Sequence, residues 1–145
     1  MILRGLSKLG ENDLAHEIAI NHHHNVVEVF AQTGTLWEDY APEKIAPGIP
    51  ARPNFVGWSG LPPIAVLLEY IFGLRPDVST SRLIWDIRLL EEHGVEQYPF
   101  GKAGTLSLRC HARRTIMEQP LIQASSTIPC IVDIRWPGGR KELPI

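Results

Sequence analysis

The stretch TGTLWEDYAPEKIAPGIPARPNFVGWSG, residues 33–60, decides how this chain is read. It carries Pro42, Pro47, Pro50 and Pro53, and Pro62 and Pro63 follow at once, so half of the chain's 12 prolines fall here. Proline fixes φ and lacks an N–H donor, which excludes a helix interior or a central strand. Yet Leu36, Trp37, Tyr40, Phe55 and Trp58 interleave the prolines, which is not the composition of a disordered linker. A long loop of this kind inside a folded domain is usually functional.

Upstream, residues 11–32 repeat apolar side chains at helical spacing: Leu14, Ala15, Ile18, Ala19, His22, Val26, Val29 and Phe30. Asn12 or Asp13 suits the start of that helix, and Gly34 sits where a C-terminal cap belongs. Downstream, Ser59 is placed to cap a second helix, with Pro62 and Pro63 in its first turn and Ile64, Leu67, Leu68 and Ile71 as its apolar face. Gly73 and Pro76 end it. Beyond Pro76 the period changes to two. Leu83, Trp85, Ile87 and Leu89 alternate with polar residues, as do Leu106, Leu108 and Cys110, and then Cys130, Val132, Ile134 and Trp136. Pro137-Gly138-Gly139 forms a turn into a return strand over residues 140–145. Two helices cannot bury their apolar faces alone, so they call for further helices or for the sheet.

The bulk properties narrow the function classes. The 145 residues suffice for one domain or two small ones, and 44% hydrophobic and 21% charged content is ordinary for a globular protein. A formal net charge of -2 provides no field to attract nucleic acid or an anionic membrane, so neither is expected as a partner. Arg109, His111, Arg113 and Arg114 form the one dense basic run, and their alternation with apolar residues predicts a solvated strand face. Cys110 and Cys130 are too few for a disulfide framework; pairing between neighbouring strands and burial as small core residues both stay open. MILRGLSKLGEN has no signal-peptide run, so a cytoplasmic location is the default expectation and the compartment is otherwise undefined. No segment reaches the roughly 18 apolar residues of a membrane span.

Three groups of residues invite chemistry. His16-Glu17-Ile18-Ala19-Ile20 begins like a zinc-protease motif, but that motif needs histidine where Ile20 stands. His22, His23 and His24 are consecutive, and consecutive helical residues point about 100° apart, so they cannot share one ion. No metal and no cofactor is expected. Glu38 is different: a carboxylate that follows a helix stop at once, between Trp37 and Tyr40. Aromatic faces bind sugar C–H surfaces and carboxylates bind sugar hydroxyls, and a carboxylate on a rigid turn can orient a water for attack. A surface carboxylate beside a buried Trp37 is the other role open to it. Gly57 and Gly60 flank Trp58 and Ser59 just before a helix start, a position that suits an oxygen-rich ligand near free N–H groups. Packing of Trp58 on that helix, with Ser59 as its cap, is the alternative.

The runs NVVEVFAQTGTLWEDYAPE and PNFVGWSGLPPIAVLLEYIFGLRPD resemble the C-terminal part of the glycoside hydrolase clan that contains the trehalases and glycoside hydrolase family 63, nearest to its mannosylglycerate hydrolase-like or bacterial glucosidase-like members. The resemblance covers about residues 10–77, and the later strands resemble the tail that follows the barrel in some members. It implies an (α/α)6 toroid and an inverting mechanism, in which one carboxylic acid protonates the leaving oxygen and a second carboxylate activates water on the opposite face of the sugar. By this resemblance Glu38 is the general base, Trp37, Tyr40 and Trp58 border the sugar, and Ser59 is a small polar residue beside it. The aspartate that serves as acid has no counterpart here. Asp39 adjoins Glu38, Glu43 follows Pro42, and Glu69 lies opposite the apolar stripe of its helix.

The expectation is therefore an α+β chain: toroid helices over residues 1–76, then a small antiparallel sheet or sandwich over residues 77–145. Its expected function is that of a C-terminal fragment of an inverting glycoside hydrolase for a small α-glycoside, holding the base without the acid and inactive alone. A non-catalytic carbohydrate-binding module is the alternative, and so is a subunit that docks on a separate N-terminal half of the hydrolase.

Overall fold

The computed structural model describes residues 2–145. The chain divides into two compact units, the first ending at Ile71 and the second spanning Phe72–Ile145.

The first unit is built on α2 (Asn12–Thr33), with α1 (Ile2–Lys8) and α3 (Leu61–Val66) beside it. A π-helical turn over Leu67–Ile71 continues α3. The repeat read in the sequence places Ala15, Ala19, Val26 and Val29 in the core, whereas Leu14, Ile18 and Phe30 stay substantially exposed. Gly34 ends α2 in the left-handed conformation, φ 72°, and its N–H donates to the Phe30 carbonyl at 2.7 Å. That is the glycine cap expected from the sequence. The N-terminus differs, because Glu11 holds the cap position and makes no side-chain cap hydrogen bond. His16 joins α2 to the π turn: its Nδ1 lies 2.9 Å from the Tyr70 carbonyl, an acceptor only, so that nitrogen carries the proton.

The second unit holds seven strands in two sheets. One sheet has the order β1 (Leu74–Asp77), β2 (Arg82–Asp86), β6 (Ile131–Trp136), β7 (Gly139–Pro144). The other has the order β3 (His93–Phe100), β4 (Gly104–Cys110), β5 (Ile122–Ser126). The alternating residues supply the core: Leu83, Trp85 and Ile87, then Leu106, Leu108 and Cys110, then Val132 and Ile134. Trp85 meets His93 edge-on at 6.0 Å, a contact between the two sheets. Gly73 enters the first sheet at φ 76°, and a Cβ there would lie 1.9 Å from the Asp86 carbonyl oxygen. Only glycine fits.

This architecture corrects the expected fold class. A toroid is made of repeated long helix pairs, but here α1 has 7 residues, α3 has 6, and α2 alone is long. The Pro-rich residues between α2 and α3 cannot supply another helix. With three α-helices and seven strands among the described residues, the chain is a small mixed α/β protein and not a partial toroid. The strand half is corrected as well. β2 and β6 pair in parallel, with Leu83 opposite Val132 and Trp85 opposite Ile134, so the four-stranded sheet is mixed. Alternation reports which residues face the core, and both strand directions satisfy it equally. Pro76 stands in β1, an edge strand, where a missing N–H is tolerated.

The basic run also departs from a solvated face. Arg109 is exposed and pairs with Glu92 at 2.6 Å, but Arg113 is only 8% exposed. Its guanidinium donates to the carbonyls of Ile87, Leu89, Ile116 and Glu118 and so clamps the loop after β4. Cys110 and Cys130 are both free and buried.

Asp133 is the polar centre of the four-stranded sheet, 2% exposed, with Arg140 Nε 2.6 Å from one oxygen and Arg135 Nε 3.0 Å from the other. Burial pushes its carboxyl up, but hydrogen bonds from Arg140 and Arg135 outweigh this and hold it below the usual aspartate value. A carboxyl depressed in the folded state contributes stability above its unfolded pKa, about 3.9, and loses it as pH falls through the folded value. Asp133→Asn is therefore expected to cost about 2 kcal/mol near neutral pH, the scale of charged hydrogen bonds. It should also flatten the loss of stability below about pH 4. Urea unfolding followed against pH checks both.

Candidate functional site

The Pro-rich stretch is an ordered, doubled-back loop. The Phe55 N–H donates to the Leu36 carbonyl at 3.1 Å and the Glu38 N–H to the Arg52 carbonyl at 2.9 Å. Nearer the tip, Gly48 N–H donates to Asp39 and Ala41 N–H to Ala46, each at 2.9 Å. Every donor is a non-proline residue, so Pro42, Pro47, Pro50 and Pro53 fall where no N–H is required. Side chains anchor the base of the loop. The Thr35 hydroxyl donates to Asn54 Oδ1 at 2.8 Å, and the Asn54 N–H returns to Thr35 Oγ1 at 3.0 Å. Asn54 accepts the left-handed backbone, φ 55°, that this clasp needs.

The five residues singled out in the sequence divide into two roles. Trp37 is tied to the end of α2, its Nε1 donating to Thr33 Oγ1 at 3.0 Å, and it does not line the cavity beside the loop. Glu38, Tyr40, Trp58 and Ser59 do line that cavity, which measures about 460 Å³ and lies within the first unit. That size falls in the range for small-ligand sites. The Tyr40 hydroxyl also accepts the Trp37 N–H at 3.3 Å, so the ring is braced as well as exposed to the cavity. Trp58 is 64% exposed, with its indole tilted against Phe55 at 4.7 Å between centroids. A Cβ at Gly57 would meet the Phe55 ring at 2.6 Å, so a larger residue there would displace that ring. Ser59 is buried and its hydroxyl donates to the Phe55 carbonyl at 3.0 Å, so it locks the turn and does not cap α3. Gly60 N–H is likewise bonded within the turn, to Gly57.

Glu38 is paired with Arg52, whose Nε lies 3.9 Å from Oε2. The Arg52 side chain is 81% exposed, and a pair of that kind contributes little to stability. The main chain of Glu38 is held instead by its N–H bond to the Arg52 carbonyl.

The opposite wall is α2, which contributes Ile18, Asn21, His22 and Asn25. Asn21 and Asn25 were not singled out in the sequence. Their four-residue spacing puts both on one helix face, which is the signal that marks them once the loop is known to cross that face. Burial first, then the charge of His23, push the His22 imidazole below its ordinary value, so it is uncharged at neutral pH. Among the described residues no three His, Cys, Asp or Glu side chains could hold a metal.

A larger cavity, about 690 Å³, lies on the outer face of β3, β4 and β5. Glu92, Glu96, Ser107, Arg109 and Gln123 line it, and Glu92 is already paired with Arg109. No tryptophan, tyrosine or phenylalanine lines it, in contrast to the cavity at Glu38. No protein-family model, curated protein or solved structure matches the chain.

Thr35→Val removes both bonds of the clasp. It is expected to cost about 1 kcal/mol and to speed hydrogen exchange at the Glu38 and Phe55 amides, with the Gly34 amide unchanged. Amide exchange measured by NMR checks it.

Proposed function

We propose that the first unit carries the base half of an inverting glycoside hydrolase site, of the α-glucosidase, trehalase or mannosylglycerate hydrolase kind. The observation that supports this most directly is the gathering of Glu38, Tyr40, Trp58 and Ser59 around one cavity, with amide side chains facing them from α2. In the reaction, water attacks the anomeric carbon and passes a proton to the Glu38 carboxylate. The glycosidic C–O bond breaks, and its oxygen takes a proton from a carboxylic acid on the other side of the sugar.

That acid is not within the cavity. The two carboxyl groups of an inverting site stand about 6.5–9.5 Å apart across the sugar. The cavity's carboxylates, Glu38 and Asp39, are sequence neighbours on the same loop, and the α2 wall has none. His22 is a poor substitute, because its lowered pKa leaves it without a proton to give at neutral pH. A separate N-terminal half of the hydrolase is the proposed source of the acid. The exposed apolar side chains of Ile20, Val27 and Phe30 on α2 suit such a partner.

One observation favours a non-catalytic carbohydrate-binding module instead: the exposed Trp58 indole, which can stack on a sugar without any chemistry. Turnover separates the two. The chain alone is expected to release no product from trehalose, an aryl α-glucoside or mannosylglycerate. With the complementary half added, hydrolysis appears and is lost in Glu38→Gln by a factor of at least about a hundred. Robust turnover by the chain alone would overturn the half-site proposal; sugar binding with no turnover in any combination supports the binding module.

A further inference from the structure

We infer that this cavity selects an uncharged glycoside over an anionic one, and that Asn21 and Asn25 of α2 are the side chains that hold its hydroxyls. The inference rests on the sugar-site reading above and narrows it, since that reading admits both neutral glucosides and the acidic mannosylglycerate.

Charge in the cavity wall is of one sign. Glu38 and Asp39 face the space, and no lysine or arginine lines it. Arg52 lies outside the lining, with its Nε 3.9 Å from Glu38 Oε2, so it offsets one of the two negative charges. His22 is uncharged at neutral pH, as burial dictates. A ligand carboxylate here would meet net negative charge with no cation in the lining, and like charges at short range are unfavourable. A neutral sugar suffers no such penalty and finds complementary partners. Carboxylates accept from its hydroxyls, and each amide of Asn21 and Asn25 offers two donors and an acceptor. Both asparagines project from a single rigid helix, four residues apart, so they present a fixed pair and not a flexible one. Ser59 has no proton left to donate, because its hydroxyl donates to the Phe55 carbonyl.

The test is a ligand-observed NMR titration of the full chain with methyl α-D-glucoside and methyl α-D-glucuronide, which differ by one carboxylate at C6. The glucoside is expected to bind at least tenfold more tightly, and the gap is expected to narrow in Asp39→Asn. Asn25→Ala is expected to weaken glucoside binding at least fivefold, with the circular dichroism of α2 unchanged. Asn21→Ala, at a more exposed position, gives a second variant if Asn25→Ala fails to fold. Equal or tighter binding of the glucuronide overturns the charge selection while leaving the sugar site standing. Unchanged glucoside binding in both asparagine variants overturns their assigned role. If neither glycoside binds, the sugar-site reading falls, and this inference with it.

Discussion

The first unit depends on one constraint: residues 36–55 must fold back on themselves without using a proline as a donor. Four backbone bonds achieve this, from Phe55, Glu38, Gly48 and Ala41, and each proline occupies a place in the doubled loop where no N–H is needed. The prolines then reduce the freedom of the unfolded loop, which favours the ordered state. Gly34 sets the direction in which the chain leaves α2, and the reciprocal Thr35–Asn54 clasp closes the loop base. Glu38 is placed by that backbone. Its position does not rest on the weak pair with Arg52, which is the arrangement a water-orienting carboxylate needs.

The site is asymmetric in a way that bears on its chemistry. One wall is loop and carries carboxylates and aromatic rings. The other is the helix face of Ile18, Asn21, His22 and Asn25, which carries amides and an uncharged imidazole. On the proposed reading such a cavity binds and orients a sugar and deprotonates a water. It cannot protonate a leaving group, because its two carboxylates are adjacent and on the same side.

Much of this was legible in the sequence, and the failures have physical causes. Helix α2, its glycine cap and the β6–β7 hairpin follow from periodicity and turn chemistry, which are local. Glu38, Tyr40, Trp58 and Ser59 stood out because aromatic and carboxylate residues are unusual company for so many prolines. The scaffold bonds of Trp37 to Thr33 and of Ser59 to Phe55 were not legible, because residue type and spacing do not show where a polar atom is spent. Asn21 and Asn25 were missed since two asparagines on a helix are unremarkable until something faces them. The toroid expected from the family resemblance fails because resemblance in residues 10–77 cannot create the long helices that residues 72–145, as strands, do not supply. The parallel β2–β6 pair was hidden because alternation has no direction, and the whole of the β3–β5 sheet lies between its two strands in the chain.

The account stands or falls on whether a sugar occupies the space between the loop and α2. Protein-observed NMR with increasing trehalose tests it directly. The predicted result is saturable movement of amide signals within residues 18–25, 38–42 and 58–62, with the β3–β5 sheet unmoved. Absence of any movement in those three segments, or movement confined to the sheet face around Arg109, would contradict it.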